Sequence, residues 1–400
     1  MFIQEKLGLT LTPIFTEGAV WAFKFVIPAK SKIAAMPKEV FLCSFIRFMQ
    51  KNNNRSILFN FIYPLLLVIL FSCTQQKQPA PVSLGYNDFV SSLDSIRQRG
   101  CTAKDIDEMR KKHGRFFSLW MYEVMDFGRF GPISDTARAQ YLQYWLMQNQ
   151  PVFGVVKAHY AKTTQWKTDL EQAWGNLQTA IPSTPNAQIY SYLSQFSNYN
   201  TFVDTVINDR TKKQEVILAY SQEMFLNDTF PAYAMLEMPP FFNRYNGSDQ
   251  IASQLIWNYL KMHFEATHNR TSMLDEMVFQ GKLWYSVLQL FPKRNPWELL
   301  GYEKAEWEWM MREEGQIWKH YLDKQILFST KFNDYKRYFA FGNKTFGGGV
   351  PEDCPPLIGN FIGLRIAQSY AEKNKAGLEQ IWQVNKSNAF LQASTYNPIK

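Results

Sequence analysis

Gln188-Ile189-Tyr190-Ser191-Tyr192, Thr201-Phe202-Val203 and Glu215-Val216-Ile217-Leu218-Ala219-Tyr220 are short runs of β-branched and aromatic residues. Polar turns set them apart, notably Asn208-Asp209-Arg210 and Asn227-Asp228. Runs of this composition bounded by turn formers predict strands. The chain around them reads as helix. Upstream, Ile106, Met109, His113, Phe116, Trp120 and Val124 recur at helical spacing within a predicted helix from Asp94 to Phe127. Thr102 followed by Asp105 supplies a capping signal, and Gly128 and Gly131-Pro132 supply a stop. Further helices are predicted from Ser134 through Met147, with Pro151 as a break, and over 165–180, closed by Pro182 and Pro185. Downstream, Pro231, Pro239 and Pro240 mark an irregular segment. Helices then resume over 251–264, 271–290, 305–329, 356–371 and 376–389. The expected fold is α+β: a single large domain over 82–400, predominantly helical, with a small β-sheet.

The composition agrees. With 46% hydrophobic and 20% charged residues, the 400-residue chain can build substantial cores and is neither disordered nor collagen-like. Four cysteines exclude a disulfide scaffold, and five scattered histidines leave little for a histidine-rich metal site. The formal charge of +8 is unevenly placed: residues 1–72 hold 8 Lys/Arg against 3 Asp/Glu, whereas residues 73–400 hold 35 against 32. The body is near neutral, so a nucleic-acid partner loses its electrostatic support. No internal repeat of 20–50 residues is visible.

The front of the chain reads as a targeting signal. Lys51-Asn52-Asn53-Asn54-Arg55 is a basic flank, Ile57 to Phe71 is the most apolar run in the sequence, and Leu70-Phe71-Ser72-Cys73 resembles a bacterial lipobox. Fifteen apolar residues are short for a spanning helix, which needs about 20. This layout implies a lipoprotein signal over 49–72, cleavage before Cys73 and acylation of that cysteine, the kind of residue that would incorporate palmitate. Residues 73–81, with Pro79 and Pro81, form a tether. Several acyl chains make a durable anchor where one does not. Met49 gives the signal an ordinary length, so residues 1–48 read as upstream sequence translated in frame; a long leader or membrane-associated extension is the alternative. No acidic run follows Cys73, which leans the anchored domain towards the periplasm.

The chemistry-bearing patterns are weak. His263-Phe264-Glu265-Ala266-Thr267-His268 invites comparison with H-E-x-x-H, but that motif needs histidines at i and i+4 to meet one metal. Here they are five apart, about 140° around a helix. A histidine-decorated helix C-terminus is the plainer reading, and Gln280 is a poor third ligand. Gly347-Gly348-Gly349 lacks the strand and the Lys-Ser or Lys-Thr of a phosphate loop, and no G-x-S-x-G element occurs. No catalytic residue, metal ligand or cofactor site is therefore assigned. Cys101 and Cys354 remain once Cys73 is lipidated, as a candidate disulfide or as buried thiols. Trp297, Trp307 and Trp318, with the glycine loop around Gly348, form a candidate binding surface. Core packing of a long helix is the competing account of the tryptophans.

Four segments carry a family resemblance: Thr271 to Tyr285 (TSMLDEMVFQGKLWY), Leu300 to Trp307 (LGYEKAEW), Pro355 to Tyr370 (PPLIGNFIGLRIAQSY) and Ser394 to Pro398 (STYNP). Together with the lipobox, they resemble the gliding-motility lipoprotein GldB family. The resemblance implies a non-catalytic, lipid-anchored lipoprotein of the cell envelope. Its partners would be the membrane and the envelope proteins of the gliding and adhesin-secretion machinery. It also implies a distant, degenerate relation to zincin-like peptidases, with His263 to His268 where their motif would sit and Gln280 where a glutamate ligand would. A zinc-dependent, peptidase-like envelope enzyme and a general envelope-assembly factor are the alternative functions.

Overall fold

The computed structural model describes residues 10–14, 22–26 and 79–399, apart from 132, 197–199, 209–210, 228–229, 239 and 343. Cys73 and its signal lie outside these residues. The chain divides into two compact units, residues 1–77 and 78–400. In the first, β1 (Thr10–Ile14) pairs antiparallel with β2 (Ala22–Val26), Thr12 opposite Lys24.

The second unit opens on an extended segment clipped to a helix. The Gln172 amide donates to the Pro79 carbonyl at 2.9 Å, and the Leu84 N–H donates to the Glu171 carboxylate at 3.2 Å. β3 (Gly85–Asp88) follows, then α1 (Phe89–Arg99), α2 (Ala103–Leu119), α3 (Asp135–Gln148), α4 (Gln150–Tyr160) and α5 (Gln165–Ala180). The predicted helix from Asp94 is thus two helices. Gly100, at a φ of 90° that glycine adopts without strain, ends the first. Thr102 and Asp105 cap the second reciprocally, as their spacing predicts. The break expected at Pro151 is present: α3 stops at Gln148, and Pro151 sits in the first turn of α4, where its missing N–H costs nothing.

β4 (Asn186–Tyr192), β5 (Thr201–Ile207) and β6 (Gln214–Ser221) complete a sheet of order β3-β4-β6-β5. β3, β4 and β6 are parallel, and β5 runs antiparallel to β6 along one edge. The central strands read as continuous apolar runs because both faces are covered. Ile189, Val216, Leu218 and Tyr220 pack with α5 and the helices that follow the sheet, whereas Tyr190, Tyr192, Ile217 and Ala219 pack with α1–α4. The alternation is the period of two that a strand imposes.

After the sheet come α6 (Pro231–Met235), α7 (Pro240–Tyr245), α8 (Ile251–Glu265), α9 (Met273–Leu290), α10 (Pro296–Leu299) and α11 (Lys304–Asp323). The chain ends with α12 (Phe332–Tyr335), α13 (Ile358–Asn374), α14 (Leu378–Gln383) and α15 (Ser387–Ser394). Pro231 and Pro240 begin short helices, so the segment is less irregular than its prolines suggest. A third core joins α9, α11, α13 and α15, and holds Met277, Trp318, Tyr321, Phe361 and Phe390. Ser272 and Asp275 cap α9 by the same reciprocal device as α2. The unit is predominantly helical with a small four-stranded sheet, the α+β architecture expected. Among the described residues no helix is long and apolar enough to cross a membrane.

Candidate functional site

α8 is buried on one side against the sheet through Leu255, Ile256, Tyr259 and Leu260. Its other side presents Ser253, Gln254, Trp257 and Asn258, two pairs at i,i+4, to a cleft of about 870 Å³. Gln280 and Trp284 of α9 face the same space, as do Thr201 at the start of β5 and Asn360 in the first turn of α13. Met224, Leu236, Met238 and Phe339 supply much of the apolar wall.

The polar lining is of an unusual kind. Seven side-chain amides face the cleft, from Gln195, Asn200, Gln250, Gln254, Asn258, Gln280 and Asn360. Among the described residues it has no histidine, cysteine, lysine or arginine, and its acids are Glu237 and Glu276. Most of these groups are engaged. Ser253 Oγ donates to the Gln250 carbonyl at 3.0 Å, and Asn258 Nδ2 donates to Thr201 Oγ1 at 2.6 Å. Gln280 Nε2 donates to Glu276 at 2.8 Å, and Glu276 is paired with Arg270 at 3.3 Å. Asn360 is 6% exposed, and its Oδ1 has no donor.

One side of the cleft is held by a buried carboxylate. Glu223 is 1% exposed and accepts from Ser221 Oγ at 2.6 Å, from Ser194 Oγ at 3.1 Å and from the Ser194 N–H. Burial raises its pKa, and these hydrogen bonds pull it back down. The bonds fix the chain leaving β4, whose next residues, Gln195 and Phe196, line the cleft.

Ser253 and Trp257, an i,i+4 pair on α8, line the same cleft as Gln280 of α9, and serine, tryptophan and glutamine are not a zinc ligand set. A serine nucleophile also needs a base within hydrogen-bond reach, and Ser253 Oγ meets only Gln250. Among the described residues no cluster of three or more His, Cys, Asp or Glu could hold a metal ion.

His263 and His268 lie outside this lining. His263 stacks on Tyr259 with ring centroids 5.6 Å apart. His268 is buried against Phe264, Phe279 and Trp382. Its Nδ1 is 3.1 Å from the Phe264 carbonyl and donates there, which leaves Nε2 to accept from Lys282 Nζ at 3.3 Å. Lys282 is itself fully buried, with its ammonium on the Val384 carbonyl and over the Phe390 ring, 4.5 Å from the centroid. Burial brings its pKa down to about 7, and burial followed by the lysine charge brings that of His268 to about 4.

The remaining sequence candidates are dispersed. Cys101 and Cys354 are free thiols, one packed with α1–α4 and the other in the third core, which is the alternative to the candidate bridge between them. Burial raises both thiols to about 12. Trp318 is buried, and Trp297 and Trp307 are half-buried against the third core, where Trp307 meets Phe361 edge-on at 5.6 Å. Gly348 is exposed, at a φ of 69° above Arg337 and Tyr338. None of these four lines the cleft.

An amide-rich, apolar-walled cleft of this size suits the protein to binding. A family comparison gives its kind: residues 73–398 match the family described as gliding motility protein GldB, and the chain belongs to that family of envelope lipoproteins. Comparisons with curated proteins and with solved structures gave no match.

Proposed function

We propose that this lipoprotein is anchored through Cys73 and uses the cleft between α8, α9 and β5 to dock a protein of the gliding and adhesin-secretion machinery, without chemistry on it. Family membership supports the setting, since the matched family is described as gliding motility protein GldB. The observation that carries the docking role is the cleft lining, an apolar wall and seven amides around about 870 Å³. A tether restricts the domain to a thin layer beside the membrane and raises its effective concentration for membrane partners.

Deletion in a gliding host tests the reading. It is expected to abolish spreading or surface delivery of adhesins, and Trp257→Glu, which puts a charge in the cleft, is expected to fail in complementation while the protein accumulates normally. An uncleaved envelope protein that accumulates on deletion and is processed again on wild-type complementation would overturn it in favour of a peptidase. Defects in general envelope assembly with gliding intact would overturn it in favour of an assembly factor.

A further inference from the structure

The two edges of the sheet are built differently. β3 is four residues long and contains Gly85, Asn87 and Asp88, poor strand formers that blunt an edge. β5, Thr201-Phe202-Val203-Asp204-Thr205-Val206-Ile207, has seven residues of mostly high strand propensity, no lysine and no proline. Its single charge, Asp204, is held by Arg115 Nε at 2.7 Å. Proteins ordinarily guard such an edge with charge, proline or a covering segment, and β5 has no guard of the first two kinds.

The register says which of its main-chain groups are free. The Ser221 N–H donates to the Asn200 carbonyl, and the Asn208 N–H donates to the Lys213 carbonyl. In an antiparallel pair the bonded residues alternate, so Phe202, Asp204 and Val206 bond β6. Thr201, Val203, Thr205 and Ile207 turn their N–H and C=O groups away from the sheet. Among the described residues, main-chain bonds outside the regular elements include none from these four. The row begins at Thr201, inside the cleft.

Building on the docking reading above, we propose that the occupant is an extended segment of another polypeptide, which adds to the sheet beside β5 and passes its apolar side chains into the cleft. Three observations fit that chemistry. An outward row of alternating donors and acceptors is matched by another extended main chain. Side-chain amides both donate and accept, so Gln254, Asn258 and Gln280, each bonded within the chain through one N–H, still carry a second N–H and a carbonyl oxygen for a peptide backbone. Trp257, Met224, Leu236 and Met238 give pockets for apolar side chains at alternate positions. A second copy of this chain could pair its own β5 edge-to-edge, but a flexible segment fills the edge and the cleft together.

The test selects phage-displayed linear dodecapeptides on the full chain and measures the affinity of the synthetic peptides recovered. Thr205→Pro removes an outward N–H that β6 does not use, so the variant is expected to fold, with an unchanged circular dichroism spectrum. It is expected to bind at least about tenfold more weakly, the loss of one to two net hydrogen bonds. N-methylation of alternate peptide residues should weaken binding by a similar factor, while methylation of the intervening residues should not. Without any variant, peptide binding should slow hydrogen exchange at the Val203 and Thr205 amides. No enrichment, or peptides whose affinity ignores both Thr205→Pro and the N-methyl register, would overturn the proposal. So would Val203 and Thr205 amides whose protection rises with concentration of the free chain, the mark of a second copy. A machinery protein that crosslinks to the cleft but is not displaced by any selected peptide would overturn the extended-segment inference and leave the docking reading standing.

Discussion

Gly281 on α9 and Gly363 on α13 face each other backbone to backbone. A Cβ on Gly281 would overlap the Gly363 carbonyl group, and one on Gly363 would overlap the Met277 carbonyl oxygen. Both glycines are mid-helix, where glycine is otherwise unfavourable by about 1 kcal/mol. The close crossing offsets that cost. It carries Gln280 and Trp284 on α9 and Asn360 on α13 to the cleft, and it lies within two of the four segments that carry the family resemblance.

Alanine at either glycine is therefore expected to destabilise the unit by about 3 kcal/mol or more, since backbone, not a movable side chain, stands in the way. Urea titration of Gly281→Ala and Gly363→Ala checks this. Loss of less than about 1 kcal/mol in both would mean that the helices do not cross so closely.

Lys282 sets a pH dependence. Its folded pKa, about 7, lies below the ordinary lysine value of 10.5. Below pH 7 both states hold the proton and the fold bears the whole cost of burying the ammonium. Between 7 and 10.5 the unfolded chain holds a proton that the folded one lacks, so stability climbs with pH by about 1.4 kcal/mol per unit. His268 and His113, both brought down to about 4 by burial, add a climb between about 4 and 6.5 by the same sign. Lys282→Met is expected to be more stable than wild type at pH 6 and to lack the climb between 7 and 10, measured by denaturation across pH. An unchanged slope in the variant would contradict it.

The wild-type domain is expected to bind no stoichiometric zinc by elemental analysis, because His263 and His268 are five residues apart and position 280 is a glutamine. Zinc in the wild type, lost on mutation of His263 or His268, would restore the enzyme alternative.

Cys73 is expected to carry the anchor. Radiolabelled palmitate should enter wild type and not Cys73→Ala; equal labelling of both would rule the anchor out.

Much of this was legible in the sequence because local chemistry writes it there. Thr102 with Asp105 marks a helix start by spacing alone, and the runs around Ile189, Phe202 and Leu218 mark strands by composition. β3 was not legible, because Gly85, Asn87 and Asp88 disfavour a strand that exists only through pairing with β4. The break at Gly100 was hidden by apolar spacing that continues across it. The cleft was hidden for a different reason: Thr201, Ser253, Gln280 and Asn360 meet only when four elements pack. The histidines drew attention by their chemistry, yet the informative feature was the polar pair Ser253-Gln254 within an otherwise apolar stretch of α8.

The central claim is that the cleft docks a machinery protein, and a photo-crosslinking amino acid placed in it tests that most directly. Leu236, half exposed at the cleft, is the test position, and Phe328, 62% exposed and outside the lining, is the control. Irradiation of intact gliding cells is expected to join Leu236, and not Phe328, to an envelope protein of the gliding or adhesin-secretion machinery. Crosslinks at Phe328 alone, or no machinery protein at Leu236, would contradict the account.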